Sequence, residues 1–382
     1  MVDDLISVRT CGFESIETNV TINTIIELKK LQFHVPEPNK KSKCHYMHVG
    51  KPNKNCPGMK VHGVKTDRVE EALYLGDLIR QDGKNTSNIK SRVNKGLGIV
   101  SKIMDILKTV SFGKKYFQMA ITLREAELVN GMLTNTDVWY GLSQADVDEL
   151  EEVDKLLLRR IFEAPSSTCI ESLYLELGVT PIRIIIKARR INCLHYLVNL
   201  KENEMLYTVF MAQWKNTTKD EWTVQVQKDL EDLELDMSLE EMKKKSQWSF
   251  KRLVKIKSKE YTLDYLLSLK EHHRKMDSLE YTELKLQEYL KDDEIPVVEA
   301  RNLYRYRTRV AKYKEIFKNS YESIACPLCL VQPDTQVHCV QCPEVKYKIN
   351  VEGSYSHIFT ESIPTDISRT LLKISILREN LL

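Results

Sequence analysis

Apolar residues recur along this chain with two different periods, and the change of period divides it. Residues 5–10 alternate as in a strand. Residues 19–33 place Ile22, Ile25 and Ile26 on one helical face. Residues 43–49 and 72–79 are strand candidates, separated by the turn-rich stretch from Gly50 to Gly58. From about Thr86 onward the period is helical. Ser143-x-x-Asp146 is a capping-box start, and Val147, Leu150, Val153, Leu157 and Ile161 follow on one stripe. Thr180-Pro181 predicts a second start, with Thr180 as N-cap and proline in the first helical position. The helix it opens carries Ile182, Ile185, Ile186, Cys193, Tyr196, Leu197 and Leu200.

The breakers sharpen this division. Twelve of the 13 glycines lie at or before Gly178, and prolines are missing from Ile182 through Ile295. Hairpins need glycine-type turn chemistry, so so long a stretch without either residue predicts helix. The fold class expected is mainly α. A small α/β piece occupies 1–84, a helical domain 85–200, a longer helical region 201–318, and a metal-ligand segment with a short tail 319–382.

Composition adds bounds. At 382 residues and 42% hydrophobic, the chain is long and apolar enough to bury a core in two or three domains. The net charge of +3 is too small to imply an acidic partner by itself. Its distribution says more. Residues 220–242 hold nine acids and one lysine, whereas residues 243–259 hold eight Lys/Arg and no acid. Such blocks suit solvated helix faces, and the second also suits a phosphate track. Nine cysteines without a signal peptide point to a reducing, intracellular compartment, nuclear or cytoplasmic. No apolar run of about 18 residues predicts a membrane span.

The strongest local signal is Cys326-x2-Cys329-x8-His338-x3-Cys342. A Cys-x2-Cys turn presents two thiolates to one ion, and a short loop returns His and Cys to complete a tetrahedron. Pro327 stiffens the turn and Pro333-Asp334 supplies the return bend. Cys339 is a spare that can replace His338 or Cys342. Four protein ligands make the expected Zn2+ structural rather than catalytic. Just upstream, residues 301–318 contain seven Lys/Arg and one acid. Read as a helix, they place Leu303, Tyr306, Val310, Tyr313 and Phe317 on one stripe and Arg301, Arg305, Arg309 and Lys312 opposite. That second face is either a phosphate track or the solvent side of an ordinary amphipathic helix.

At the other end, Asp3-Asp4 precedes an apolar run. Adjacent carboxylates clamp the divalent ions of two-metal phosphoryl chemistry, and the same dipeptide also suits a solvated turn. The order of features then becomes informative. Met1-Val2-Asp3-Asp4 resembles the aromatic-x-Asp-Asp palm motif of non-LTR retrotransposon reverse transcriptases, with methionine in the aromatic place. Ile22-Asn23, Glu27, Lys29-Lys30-Leu31 and Phe33, then Lys41-Ser42-Lys43-Cys44 and Met47-His48-Val49-Gly50, are similar to their palm helix and following strand. Tyr74-Leu75-Gly76-Asp77, Ile79, Gly83 and Asn88-Ile89 with Arg92 resemble the primer-grip strand leading into the thumb. Leu173 to Gly178, Thr180-Pro181 and the terminal Cys-Cys-His-Cys set complete the series.

The resemblance implies a C-terminal fragment of such an enzyme: the end of the palm, a helical thumb, a helical connector and a zinc knuckle. The parent reaction is RNA-directed DNA synthesis, in which Asp3 and Asp4 hold Mg2+. Lys41 or Lys43 then lies near the incoming phosphates and Tyr74 near the primer end; solvated lysines and a core tyrosine are the plain alternatives. The fingers and the palm motif that supplies a further metal-binding aspartate would precede Met1. The expectation is therefore a chain that binds RNA and DNA rather than polymerises. A non-enzymatic nucleic-acid-binding protein and a degenerate gene copy are the alternatives.

Overall fold

A computed structural model describes residues 45–47, 60–61, 64–65, 67–74, 76–110, 115–139, 141–215, 222–270, 276–292, 294–315, 323–349, 358 and 365–379. The expected strand at 5–10, the expected helix at 19–33, and Asp3, Asp4, Lys41 and Lys43 lie outside these residues. The chain divides between Arg92 and Val93 into two compact units. Among the described residues it is mainly helical, as the breaker distribution predicts.

The first unit contains short paired strands. β1 (His45–Tyr46) runs parallel to β4 (Asp67–Arg68), and β2 (Lys60–Val61) is antiparallel to β3 (Val64–Lys65). The expected strand at 72–79 is instead a hairpin of β5 (Glu71–Tyr74) and β6 (Asp77–Arg80), with Tyr74 opposite Asp77. Gly76 sits in its turn at φ +86°, a conformation glycine adopts without steric cost. The Asp77 carboxylate accepts from Asn88 Nδ2 at 3.1 Å and pairs with Arg92, whose guanidinium also donates to the Gly76 carbonyl at 2.9 Å. The turn is thereby tied to the first turns of α1 (Thr86–Val110).

In the second unit, α2 (Tyr116–Leu123) passes through a π-helical turn (Arg124–Val129) into α3 (Asn130–Met132). α4 (Gln144–Phe162) starts at the predicted capping box: Asp146 N donates to Ser143 Oγ, and Ser143 N donates back to the Asp146 carboxylate. Leu150, Val153, Leu157 and Ile161 are buried as its stripe requires, while Val147 is half-buried. α5 (Ile170–Leu177) ends at Gly178, and α6 (Ile182–Val198) follows with Pro181, not Thr180, as N-cap. The stripe expected on α6 is found in part: Ile182, Ile186 and Leu197 are buried. Tyr196 is exposed and Cys193 half-buried, whereas Ile184, Ile191, Leu194, His195 and Val198 are buried. The cause is that α6 is enclosed on several sides. α4 packs on it, as do α7 (Met205–Lys215), α8 (Trp222–Asp232), α9 (Leu239–Lys244) and α10 (Gln247–Lys270). His195 illustrates this: its ring stacks on Phe250 at 4.3 Å and Nε2 meets the Lys245 carbonyl at 3.0 Å.

Buried ion pairs bolt these helices together. Arg124 donates through Nε and Nη2 to both Asp154 oxygens at 2.6 Å and to the Thr180 carbonyl at 2.8 Å, and Tyr174 donates to Asp154 at 3.0 Å. Arg190 pairs with Asp229, and Arg307 with Glu176. After α11 (Glu288–Lys291), α12 (Val297–Arg307) brings Tyr304 onto Phe162 at 4.1 Å and onto Ser172 Oγ at 2.8 Å. Before α11, Gln287 N donates to the Glu176 carbonyl at 3.0 Å, which lays residues 285–287 against the end of α5.

Gly178 has two reasons to be glycine. Its φ is +65°, and an added Cβ would lie 2.1 Å from the Lys285 carbonyl carbon. Gly141 shares the conformation, at φ +64°, with nothing near its Cβ position. Gly141→Ala is expected to cost about 1 kcal/mol, the left-handed penalty alone. Gly178→Ala adds displacement of backbone and is expected to cost about 3 kcal/mol. Urea midpoints of the two variants check this; equal shifts would mean that residues 285–287 yield freely.

Candidate metal centre

The ligand quartet is built by short local elements. Ala325 pairs with Pro333 in an isolated antiparallel bridge, and Cys326 N donates to the Gln332 carbonyl at 2.8 Å. Between them, Leu330 N donates to the Cys326 carbonyl at 2.9 Å, and Leu330 takes φ +58°. This tight loop turns the backbone N–H groups of Val331 and Gln332 onto the Cys329 sulfur and pulls its thiol down to about 6. α13 (Gln336–Gln341) then starts at Thr335, whose Oγ1 accepts from His338 N at 3.0 Å. Cys342 follows α13 directly and precedes α14 (Pro343–Ile349). Burial pushes its thiol up to about 11, against the N–H groups of Val345 and Glu344 that favour the thiolate.

Cys326, Cys329, His338 and Cys342 each offer one donor atom, and all four lie within 4.8 Å of one another. The Cys326 and Cys342 sulfurs are 4.0 Å apart, and Cys329 Sγ is 3.3 Å from His338 Nε2. A tetrahedral ion with metal–sulfur bonds of about 2.3 Å and a metal–nitrogen bond of about 2.0–2.1 Å sets ligand edges near 3.8 Å (S···S) and 3.6 Å (S···N). The quartet fits such an ion, and the cysteines are free thiols rather than disulfides. Cys339 is not an alternative ligand here. It is buried with its thiol pushed up to about 12, donates to the Gln336 carbonyl at 3.0 Å and lies 3.9 Å from the Tyr306 hydroxyl. One residue along a helix is a rotation of about 100°, which turns Cys339 away from the quartet.

The site is fastened to its surroundings through Asp334, which is fully buried. Its carboxylate takes both guanidinium nitrogens of Arg378 on α15 (Thr365–Glu379) and accepts from Lys314 N at 2.7 Å. Gln336 accepts from the Tyr313 hydroxyl at 3.0 Å. The spacing of cysteines shows the ligands and marks Asp334 as part of the return bend, but gives no sign of its pairing with Arg378. Both types usually lie at the surface, and they are 44 residues apart.

No family model, curated protein or solved structure matches this chain.

The basic segment upstream departs from expectation. The helix expected over 301–318 ends at Arg307. Val310 N reaches back to the Arg305 carbonyl at 2.8 Å and Arg309 N to the Tyr306 carbonyl at 3.2 Å, a Schellman closure with Arg309 at φ +53° in the place glycine usually takes. Leu303, Tyr306, Val310 and Tyr313 are nonetheless buried. The arginines are engaged within the protein. Arg301 binds the Ile161 carbonyl at 2.9 Å, the Tyr116 hydroxyl at 2.8 Å and the Glu163 carboxylate. Arg305 reaches the Glu163 carbonyl at 3.2 Å, and Arg309 donates to Ser278 Oγ at 2.6 Å. Lys312 remains exposed, its ammonium 3.9 Å from Glu379. Arg301 also lines an open cleft of about 730 Å³ with Lys108, Arg159, Arg160 and Glu163. Tyr74 is half-buried on β5 beside the exposed Leu73. No helix among the described residues is long and apolar enough to cross a membrane.

Proposed function

We propose that this chain is the end of the palm, the thumb, the connector and the zinc knuckle of a reverse transcriptase of the non-LTR retrotransposon kind, and that its own contribution is to bind RNA and DNA. The observation that carries the reading is the convergence of Cys326, Cys329, His338 and Cys342 at the end of the ordered motif series. The ion is Zn2+, because three thiolates and an imidazole are a donor set it takes readily, and it is structural, because four protein ligands leave no open position. The meeting of Asp77, Asn88 and Arg92 in one network supports the same reading, since these three residues belong to the strand-to-thumb motif. In the reaction so implied, Asp3 and Asp4 hold Mg2+, Lys41 or Lys43 faces phosphate, and Tyr74 faces the primer. The closed metal site favours, as a second reading, a non-enzymatic RNA- or DNA-binding protein.

The test is binding of the full chain to labelled RNA and DNA strands at stepped salt. Log affinity should fall linearly with log salt, by about 0.7 for each phosphate contacted on a single strand. Absence of binding at low salt, or affinity that ignores salt, would refute both readings.

A further inference from the structure

We infer that the outer face of α10 is a binding track for single-stranded nucleic acid, with Trp248 as the platform on which a base stacks. The inference deepens the nucleic-acid reading and relies on it for the class of ligand. Over the first half of α10 the inner face, with Phe250, Val254 and Ser258, is buried. On the opposite side, Trp248, Lys251, Arg252, Lys255, Ile256 and Lys259 are all exposed. At 3.6 residues per turn they form one stripe, about 16 Å long from Trp248 to Lys259.

Three observations separate this stripe from an ordinary solvated face. The first is its charge. Among the described residues, Lys251, Arg252, Lys255 and Lys259 are in no ion pair, while the neighbouring Lys257 pairs with Glu260 at 3.0 Å. The stripe is thus uncompensated, unlike Arg301 and Arg305, which lie against the Glu163 carboxylate. The second is Trp248, which is 71% exposed, an unusual cost for the largest apolar side chain. The third is the Arg252 guanidinium, held 5.5 Å from the centre of the Trp248 ring. An aromatic ring and an arginine beside spaced cations are the components of single-strand grooves, where bases stack and the backbone runs along the charges. A duplex keeps its base faces inside its own stack and would leave Trp248 unused. A lipid surface would require an apolar helix face to insert, and that face of α10 is already in the core.

The experiment uses the full chain with oligo(dT) and oligo(U), followed by anisotropy and by tryptophan fluorescence. Of the four tryptophans, Trp139 is buried, Trp214 is half-buried against the Phe210 ring at 5.7 Å, and Trp222 donates to the Asp137 carbonyl at 2.8 Å, so quenching by a stacked base reports chiefly on Trp248. Trp248→Ala is expected to abolish the quench and weaken binding roughly 5- to 150-fold. Lys255→Ala with Lys259→Ala is expected to flatten the log–log salt slope by about 1.4, two contacts at 0.7 each. These side chains are exposed, so unchanged circular dichroism is expected in both variants. Wild-type affinity and slope in both would overturn the track and leave the nucleic-acid reading standing. Equal affinity for poly-glutamate, for anionic phosphatidylserine vesicles or for a duplex of the same length would also overturn it. No binding of the unaltered chain to any nucleic acid would remove the reading on which the track relies.

Discussion

One zinc ion per chain is the expected result of elemental analysis on protein purified without chelator, and Cys326→Ser is expected to lose it. Metal binding is worth about 10–16 kcal/mol in isolated zinc-finger peptides. Less of that appears as folding free energy here, because Asp334 and Gln336 already anchor the ligand loop to other segments. The remainder is still expected to exceed the effect of any single side chain, since the loop from Cys326 to Gln332, ahead of the Asp334 anchor, is held by the short bridge and turn. Hydrogen exchange should therefore lose protection over 323–349 on chelation while α4 and α6 keep theirs. Cys339→Ser provides the control: its thiol faces Gln336 and Tyr306, so zinc should stay at one per chain. Metal-free protein from a gentle purification, or exchange unmoved by chelator, would take the ion out of the account. Loss of zinc in Cys339→Ser would mean that the ligand set is wrong.

Asp334→Ala is expected to be the most damaging single change outside the quartet. It leaves the Arg378 guanidinium buried, at 2% exposure, without its carboxylate. Breaking such a pair from one side costs about 3–5 kcal/mol, because the buried charge loses its counter-ion and keeps only the Lys312 carbonyl, at 3.2 Å. The Lys314 N–H loses its acceptor as well. Replacing both members, Asp334→Leu with Arg378→Met, removes the stranded charge and should recover much of the loss. Urea unfolding of the two variants decides it. A double variant no better than the single would show that geometry at Lys314, rather than the stranded charge, sets the cost. Zinc should also leave Asp334→Ala faster, as the return bend before His338 loses its anchor.

What was legible in the sequence was local. The Ser143 cap, the long breaker-free stretch and the spacing of the four ligands each depend on residues close in the chain, and each is found as read. What was not legible had three causes. Some turns lacked their usual residue: Arg309 closes α12 in a left-handed conformation, so the apolar stripe suggested a helix that runs past Arg307. Other features depend on partners far away. α6 is enclosed by five neighbours, so no one-sided stripe describes it. Arg124, Glu176, Arg307 and Arg378 look like surface charges until their partners are known. Tyr74 to Ile79 shows a third case, where Gly76-Asp77 in an otherwise apolar run was itself the turn signal.

Those distant partnerships also bear on how quickly the molecule can assemble. Helical proteins ordinarily fold fast because their contacts are close in sequence. Here Arg301 meets Ile161 across 140 residues, Tyr304 meets Ser172 across 132 and Arg307 meets Glu176 across 131. Closing a loop of that size costs about 4 kcal/mol in chain entropy before any contact rewards it. Helix formation takes about a microsecond and is over long before such a closure. The return of α12 to α4 and α5 is thus expected to limit the rate of reaching the native state, while α6 to α10, whose mutual contacts are closer in sequence, dock on one another before it arrives.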